Sequence, residues 1–227
     1  EQAHYEDAQC LAHWAITILI DSCADADSVA LNSARHAKAR ALIGLGKWDD
    51  ALYEFDKIRE AMSEVPTLFE SRFGADTDWG IALLKTGRAK QAENMFSAAY
   101  DITKSRLGPG HYQSGEMLGL LSTAQASRGD AKTALSNFSK AVNIVFSGTN
   151  GNGDGVTNLS IRSSRIKMIA DGYLMLLSSP EGQAAARAAG IDSKNESFRI
   201  AGATLSRSVQ HALAESTARS KVSDPEL

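Results

Sequence analysis

One spacing of residues recurs three times in this chain and constrains its fold more than any other feature. Each copy has a glycine, an alanine five residues later, a phenylalanine four further on and an aliphatic residue three after that. The copies are Gly46, Ala51, Phe55 and Ile58; Gly87, Ala92, Phe96 and Ala99; and Gly129, Ala134, Phe138 and Ala141. The second copy lies 41 residues after the first, and the third lies 42 residues after the second. A fixed period of this length predicts an array of helical repeats.

The spacing within each copy predicts a pair of antiparallel helices. A glycine ends the first helix, because it reaches the left-handed backbone conformation at little cost. The alanine, the phenylalanine and the aliphatic residue lie at i, i+4 and i+7 of the next helix and therefore share one face. Another small residue precedes each glycine by seven positions; these residues are Ala39, Gly80 and Ser122. We expect the small residues to lie where the two helices cross and the phenylalanines to fill the core.

This pattern resembles the tetratricopeptide repeat over roughly residues 32–146. The family's small eighth position corresponds to Ala39, Gly80 and Ser122, its eleventh to Leu42, Leu83 and Gln125, its small twentieth to Ala51, Ala92 and Ala134, and its aromatic twenty-fourth to Phe55, Phe96 and Phe138. The polar Gln125 departs from the family pattern and predicts a looser third hairpin. The period, with the segment 107–111, is similar to the 42-residue variant of kinesin light chain. The resemblance implies an all-α fold, a right-handed superhelical solenoid of antiparallel helix hairpins.

Apolar periodicity and helix-ending residues predict one repeat domain over residues 1–227. It comprises a capping helix at 4–21, repeats at about 29–62, 67–105 and 112–147, and a degenerate C-terminal hairpin at 157–220. Gly74 leaves two interpretations of the second repeat open: a helix from about Thr67 that tolerates the glycine, or a helix that begins after it. The glycine-rich residues 147–155 predict a loop, and the alanine-rich segment 181–189 is a candidate short helix.

Both end helices carry an apolar stripe that is expected to face the core. The first stripe contains Ala8, Leu11, Ala12, Ala15, Ile16, Leu19 and Ile20, and the last contains Phe198, Leu205, Val209 and Leu213. The opposite face of the last helix is polar and rich in small residues, so we expect it to contact a following segment or to support weak self-association.

The end of the chain carries a second resemblance. Residues 196–201, 207–214 and 224–227 resemble the helix and linker that follow the repeats in bacterial CHAT-domain proteins. In those proteins a caspase-like domain comes next. The resemblance therefore implies that this chain is the regulatory or recognition module of a larger protein, attached to a C-terminal CHAT-type domain.

The composition argues against several classes of partner. The chain is 43% hydrophobic and 22% charged, as in a folded protein. Its net charge is −3 without a basic block, so we expect no nucleic-acid partner. The longest apolar run, 14–20, is too short to span a membrane, so no membrane partner is expected. The sequence starts at Glu1 without a methionine, which leaves cytoplasmic and exported or periplasmic locations open.

No group of residues predicts catalysis, a cofactor or a metal. Cys10 and His13 share a helix face, but together with Cys23 they lack the second ligand pair of a zinc site. We therefore expect both cysteines to be buried in the core. Residues 150–155 have the spacing of a calcium loop, but Ile161 stands where that loop needs a bidentate glutamate. A connector is the expected role of this loop.

The surface expected to act is the concave groove that the first helices of the hairpins line in this family. Its groove-facing positions correspond here to His36, Arg40, Thr77, Ile81, Lys85, Glu116, Thr123 and Ser127. The lysine and asparagine set that holds a chaperone's C-terminal carboxylate in some family members is absent. The leading hypothesis is a protein–protein interaction scaffold that binds a peptide or protein in this groove. The alternatives are a structural oligomerisation module and an enzyme whose site the sequence does not reveal.

Overall fold

The chain is described by a computed structural model that covers residues 2–147 and 156–222, with side chains over 4–146, 162–206 and at 209. These residues form eleven α-helices and no strand. The helices are α1 (Gln2–Asp21), α2 (Val29–Gly44), α3 (Trp48–Ala61), α4 (Pro66–Phe73), α5 (Thr77–Lys85), α6 (Ala89–Leu107), α7 (Tyr112–Ser127), α8 (Ala131–Ser147), α9 (Val156–Ser178), α10 (Pro180–Ala188) and α11 (Ser193–Val222). The expected all-α fold of helix hairpins is confirmed.

The helices group into two compact units, Glu1–Ile102 and Thr103–Leu227. Helices α1 to α5 and most of α6 belong to the first unit, and α7 to α11 belong to the second. The organisation of residues 1–227 as one repeat domain stays a prediction.

The first hairpin shows how the recurring spacing folds. Gly46 lies in the turn between α2 and α3 with a φ of 70°, a conformation that glycine adopts without strain. Ala39 of α2 and Ala51 of α3 are fully buried, and Phe55 is fully buried on the same face of α3 as Ala51. The Phe55 ring stacks on Trp79 of α5, with centroids 4.8 Å apart and an interplanar angle of 8°. The equivalent residues of the other two copies, Ala92, Phe96, Ala134 and Phe138, are also fully buried.

The second repeat begins after Gly74. A helix does start at Pro66, but it ends at Phe73 and does not continue through the glycine. The next helix, α5, is capped by Asp76, whose Oδ1 accepts a hydrogen bond from the backbone N–H of Trp79 at 2.7 Å. Such a cap satisfies a backbone donor that has no partner inside the helix. The first helix of the second hairpin is therefore α5, and α4 is an additional short helix before it.

In the second unit, α7 and α8 form a hairpin that is joined by a buried polar contact. Gln125 is buried, and its Oε1 accepts a hydrogen bond from Asn137 Nδ2 at 3.0 Å. The amide that departs from the family pattern is thus paired across the hairpin, so its burial does not leave a polar group unsatisfied. Helix α9 packs closely against α7. The two helices approach so closely at Gly119 that a Cβ on this residue would lie 2.7 Å from Ile169 Cδ1.

The α8 and α9 contact repeats the aromatic stacking seen in the first unit. Phe138 stacks on Tyr173 with centroids 4.9 Å apart and an interplanar angle of 15°. Both rings are fully buried. Tyr173 therefore occupies in α9 the place that Trp79 occupies in α5, and α9 acts as the first helix of a fourth hairpin.

The prediction for the apolar stripe of α11 was wrong for the residues that the structure describes. Phe198, Leu205 and Val209 are exposed, Phe198 by 79%, whereas Ile200 is fully buried. Helix α11 packs on α9 with the face that carries Glu196 and Ile200, which lie one turn apart. Leu213 has no described side chain.

The prediction for α1 was wrong in part. Ala12 and Ile16 are buried, but Leu11 and Ile20 of the same predicted stripe are exposed. Among the described helices, α1 makes extensive contact only with α2. Only a narrow face of α1 is therefore covered. The expectation of buried cysteines was also wrong: Cys10 lies on the uncovered face and Cys23 follows the helix in a turn, and both are exposed and unbonded.

Candidate protein-interaction surface

A histidine–carboxylate contact and an arginine–aspartate ion pair join α2 to the N-terminal end of α5 in the first unit. His36 Nε2 lies 2.7 Å from Asp76 Oδ2, and Arg40 Nε donates a hydrogen bond to Asp78 Oδ2 at 2.9 Å. The two pairs lie one turn apart on α2 and form the α2–α5 face, defined by these four residues. The Arg40 side chain is 52% exposed, so this face is open to a ligand at its arginine end.

Asp76 holds three roles at the inner end of this face. It caps α5, its Oδ2 lies within hydrogen-bond distance of His36 Nε2, and its mostly enclosed side chain fills the space between these partners. Burial alone would raise the pKa of its carboxyl, but the hydrogen bond and charge of His36, with the Trp79 N–H and Arg40, hold that pKa below its ordinary value. The His36 ring also lies 5.6 Å from the ring of Phe73 and 5.9 Å from that of Phe55. The position of His36 is therefore set by aromatic packing as well as by the carboxylate.

The three predicted groove residues of α5 differ in exposure. Ile81 is buried, Thr77 is half-buried, and Lys85 is exposed. Lys85 Nζ lies 6.0 Å from the centre of the Trp48 ring, at the limit of a cation–π contact. Of the three, Lys85 is the side chain most available to a ligand.

In the second unit the predicted groove residues of α7 are mostly covered by α9. Glu116 is buried, and its Oε1 lies 3.7 Å from Arg165 Nη1 of α9. Thr123 is buried, donates a hydrogen bond to the carbonyl of Gly119, and packs against Gly172. Ser127 is exposed and donates to the carbonyl of Thr123 at 2.9 Å. The structure thus brings His36 and Arg40 to one open face, whereas Ile81, Glu116 and Thr123 are enclosed by neighbouring residues.

A groove between α8 and α10 was not foreseen from the sequence. Its cavity has a volume of about 630 Å³ and is lined along α8 by residues from Lys132 to Asn143, and along α10 and the following turn by Ala185, Ala188 and Ile191. We call it the α8–α10 groove. The sequence signal for it was the short alanine-rich segment 181–189, which was predicted only as a candidate short helix.

A polar chain lies behind this groove and links three helices. Tyr173 Oη lies 3.2 Å from Ser139 Oγ of α8 and donates a hydrogen bond to Glu196 Oε1 of α11 at 3.1 Å. Arg199 in turn donates to both carboxylate oxygens of Glu196. Burial, aided by the Glu196 charge, raises the pKa of Tyr173 to about 12, and the Arg199 contact lowers the pKa of Glu196. The network joins α11 to α8 and α9 through hydrogen bonds.

The part of the chain that the structure describes contains neither a cluster of metal-binding side chains nor a membrane-spanning helix. Within it, no three histidine, cysteine or acidic side chains converge where they could hold a metal ion. The candidate calcium loop at 150–155 lies outside the described residues. The described helices include none with the length and apolarity needed to span a bilayer.

Comparison with known families agrees with the repeat spacing. Residues 72–145, about a third of the chain, match the family model described as Tetratricopeptide repeat. This match supports the tetratricopeptide family for the stretch that contains α5 to α8. No curated protein matches the chain. Tetratricopeptide repeats generally mediate protein–protein interactions, and folds of this kind are typically non-enzymatic.

Proposed function

We propose that this chain is a protein-interaction scaffold that binds a peptide or protein segment on the α2–α5 face and on Lys85, an exposed residue two turns after Asp78 on α5. The observation that carries the proposal is the pair of ion contacts between α2 and α5. They hold Arg40 in a fixed, half-exposed position, with Asp78 bound to its Nε. An arginine that is bound through Nε keeps its terminal N–H groups for other acceptors, and these groups suit a carboxylate of the ligand.

The expected ligand on this face carries an acidic side chain or a free carboxylate. Arg40 and Lys85 supply two exposed positive groups, while Asp76 and Asp78 lie deeper and are each paired with a basic side chain. Preorganised side chains lose little conformational entropy when a ligand binds, which favours binding by a short segment. The buried Ile81, and the buried Glu116 and Thr123 of the second unit, are not proposed as ligand contacts.

A peptide display experiment tests the proposal. Peptides selected on the immobilised chain would be labelled and their Kd measured by fluorescence anisotropy. We expect Arg40→Glu with Lys85→Glu to weaken the selected peptides at least ~10-fold, because charge-assisted hydrogen bonds contribute about 1.5–3 kcal/mol each. The matched control is Arg88→Glu with Lys90→Glu, which changes the charge equally at two exposed residues at the start of α6. Equal affinity in the test variant and the control would refute the proposal.

Self-association is a second candidate function, and the exposed stripe of α11 favours it. Phe198, Leu205 and Val209 are all exposed and lie at helical spacing on one face. Contiguous exposed apolar residues of this kind mark interaction sites in folded proteins. We expect Phe198→Ser with Leu205→Ser to reduce association between copies, measured by sedimentation over a range of concentrations. A monomer at all concentrations, both before and after the change, would exclude this role.

The regulatory role, the kinesin-light-chain variant and the attached CHAT-type domain are proposals that rest on sequence resemblance alone. Their support is the 42-residue spacing and the likeness of residues 196–201 and 207–214 to the helix after the repeats in CHAT-domain proteins. The gene sequence downstream of Leu227 tests the last of them directly. A caspase-like domain there would support it, and a stop codon would remove it.

A further inference from the structure

Helix α10 occupies the place of the second helix of a fourth hairpin. In each of the three regular copies, the small residue of the first helix precedes the small residue of the second by twelve positions. Tyr173 corresponds to Trp79 by its stacking, so the fourth copy of this pair is Leu174 and Ala186. Ala186 is fully buried, as its three equivalents are, and α10 packs on both α8 and α9.

The fourth hairpin differs from the others because its second helix stops early. Helix α10 has 9 residues, whereas α3 has 14 and α8 has 17. Four residues after the small position, where the other copies have a phenylalanine, the chain has Gly190 with a φ of 70°. Helix α8 is therefore bordered by α10 along only part of its length, and the α8–α10 groove lies where α10 ends, between α8 and the last turn of α10.

The groove combines an apolar floor with a positively charged rim. Leu135 and Ile191, with the alanines of α10, supply most of its floor, and their small size lets another backbone approach closely. Lys132 and Lys140 are exposed on the α8 side, and neither makes an ion pair with a residue that the structure describes. They are eight residues apart on α8, about 12 Å along the helix axis. Among the described lining residues there is no aspartate or glutamate to balance them.

We propose that the α8–α10 groove binds an amphipathic helix of a partner protein. The bound helix would lie beside α8 where α10 ends, with an apolar face on Leu135 and the alanines, and acidic residues two turns apart opposite Lys132 and Lys140. The lined stretch of α8, from Lys132 to Asn143, is about 17 Å long, which corresponds to roughly three turns of a bound helix. This surface is formed by second helices of the second unit and is distinct from the α2–α5 face of the proposed function.

A designed peptide provides the probe. It is a fluorescein-labelled helix of about 18 residues, long enough to be partly helical alone, with alanine and leucine on one face and glutamates seven or eight residues apart beside that face. A second peptide is identical except that lysine replaces each glutamate. We expect the acidic peptide to bind the full chain at least ~10-fold more tightly than the basic one. Its affinity should fall as salt is added, because charge attraction at an open groove is screened.

Variants of the chain locate the binding site. We expect Lys132→Glu with Lys140→Glu to weaken the acidic peptide at least ~10-fold and to strengthen the basic one. The matched control reverses two other exposed lysines of the second unit, Lys167→Glu with Lys194→Glu, and should change the Kd less than twofold. Ala188→Trp leaves the charge unchanged and should block binding by filling the groove.

Several results would overturn the inference. They are a lack of binding by the acidic peptide at ~1 mM, an equal loss in the control variant, and full binding by the Ala188→Trp chain. Sedimentation of the chain alone covers the case of a second copy in the groove: self-association that the Lys132→Glu and Lys140→Glu changes abolish would overturn the assignment to a partner helix. Binding that depends on Arg40 and Lys85 instead would also overturn it and would leave the proposed function intact.

Discussion

Gly80→Ala is expected to destabilise the first unit, although alanine is the better helix former. Gly80 lies inside α5, where a change to alanine would ordinarily stabilise the helix by about 1 kcal/mol. Here a Cβ on Gly80 would lie 2.6 Å from Cε1 and 2.9 Å from Cζ of Phe96. Carbon atoms in favourable contact are about 3.5–4.0 Å apart. Because Phe96 is fully buried, its ring cannot move away without displacing other core residues.

The magnitude follows from two opposing effects. Overpacking a close core contact typically costs about 1–3 kcal/mol, and the gain in helix propensity offsets about 1 kcal/mol of that. The expected net loss is therefore up to ~2 kcal/mol. Gly202→Ala is the control, because Gly202 lies inside α11 and a Cβ there would meet nothing within 4 Å. That change should stabilise α11 by up to ~1 kcal/mol, so the two substitutions are expected to differ in sign.

Urea unfolding separates these outcomes. All three tryptophans of the chain lie in Glu1–Ile102, so their fluorescence reports the first unit, while circular dichroism reports the helices of both. Phe96→Leu removes the ring atoms that the new methyl group would meet. In the Gly80→Ala background it should therefore cost less than it does alone, by a coupling of about 0.5–3 kcal/mol. If Gly80→Ala raised the midpoint as much as Gly202→Ala, the argument from close helix approach would be refuted.

Three further outcomes are expected. Phe96→Ala should lower the unfolding free energy by about 3–5 kcal/mol, and an unchanged urea midpoint would contradict the repeat register. Asp76→Asn should lower the unfolding free energy at pH 6. Because folding lowers the pKa of Asp76, the stability that its carboxylate contributes is lost as pH falls below about 4. The unfolding free energies of the two chains should then converge, and a difference that persists at pH 2–3 would contradict this argument. Neither chelator nor added calcium should change the melting temperature, and a shift of several degrees with calcium would show that a calcium site had been overlooked.

The parts of the fold that depend on local spacing were predictable. The three copies of the pattern placed the glycines at turns and the phenylalanines in the core, because helix period and glycine conformation act within a few residues of one another. Phe55, Phe96 and Phe138 are accordingly all fully buried. The buried Glu54 was not predictable in this way. Its carboxylate is held by Lys38 at 2.6 Å and Arg35 at 3.6 Å, and both partners lie on the preceding helix.

The rotation of the end helices depended on contacts that periodicity does not contain. Helix α11 has two candidate faces, one with Phe198 and Leu205 and one with Ile200. The more apolar face was the natural prediction. The hydrogen bond from Tyr173 to Glu196 and the burial of Ile200 select the other face. Helix α11 packs mainly on α9 and therefore buries one face only, which is the face that carries the Glu196 contact.

The sequence could nominate the candidate binding residues, but it could not predict which side chains would surround each of them. His36 and Arg40 lie one turn apart on α2, and Arg40 is half-exposed. Their partners were not identified from the sequence: Asp76 caps α5, and Asp78 lies in its first turn. Glu116 and Thr123 are buried because Gly119 between them lets α9 approach α7 closely. One glycine thus turns two predicted ligand contacts into helix-packing residues.

A degenerate fourth hairpin was predicted at 157–220, but α10 was not recognised as its second helix because each marker of the repeat is weakened there. Phe138 and Tyr173 are 35 residues apart, whereas the stacked pair Phe55 and Trp79 is separated by 24, so the repeat period is lost. The small residue of the first helix is replaced by Leu174. The packing nevertheless retains the stacked rings and the buried Ala186, because these contacts depend on how the helices meet and not on the length of the loop between them. A shortened second helix in an otherwise regular hairpin leaves α8 partly uncovered, and this is the physical origin of the α8–α10 groove.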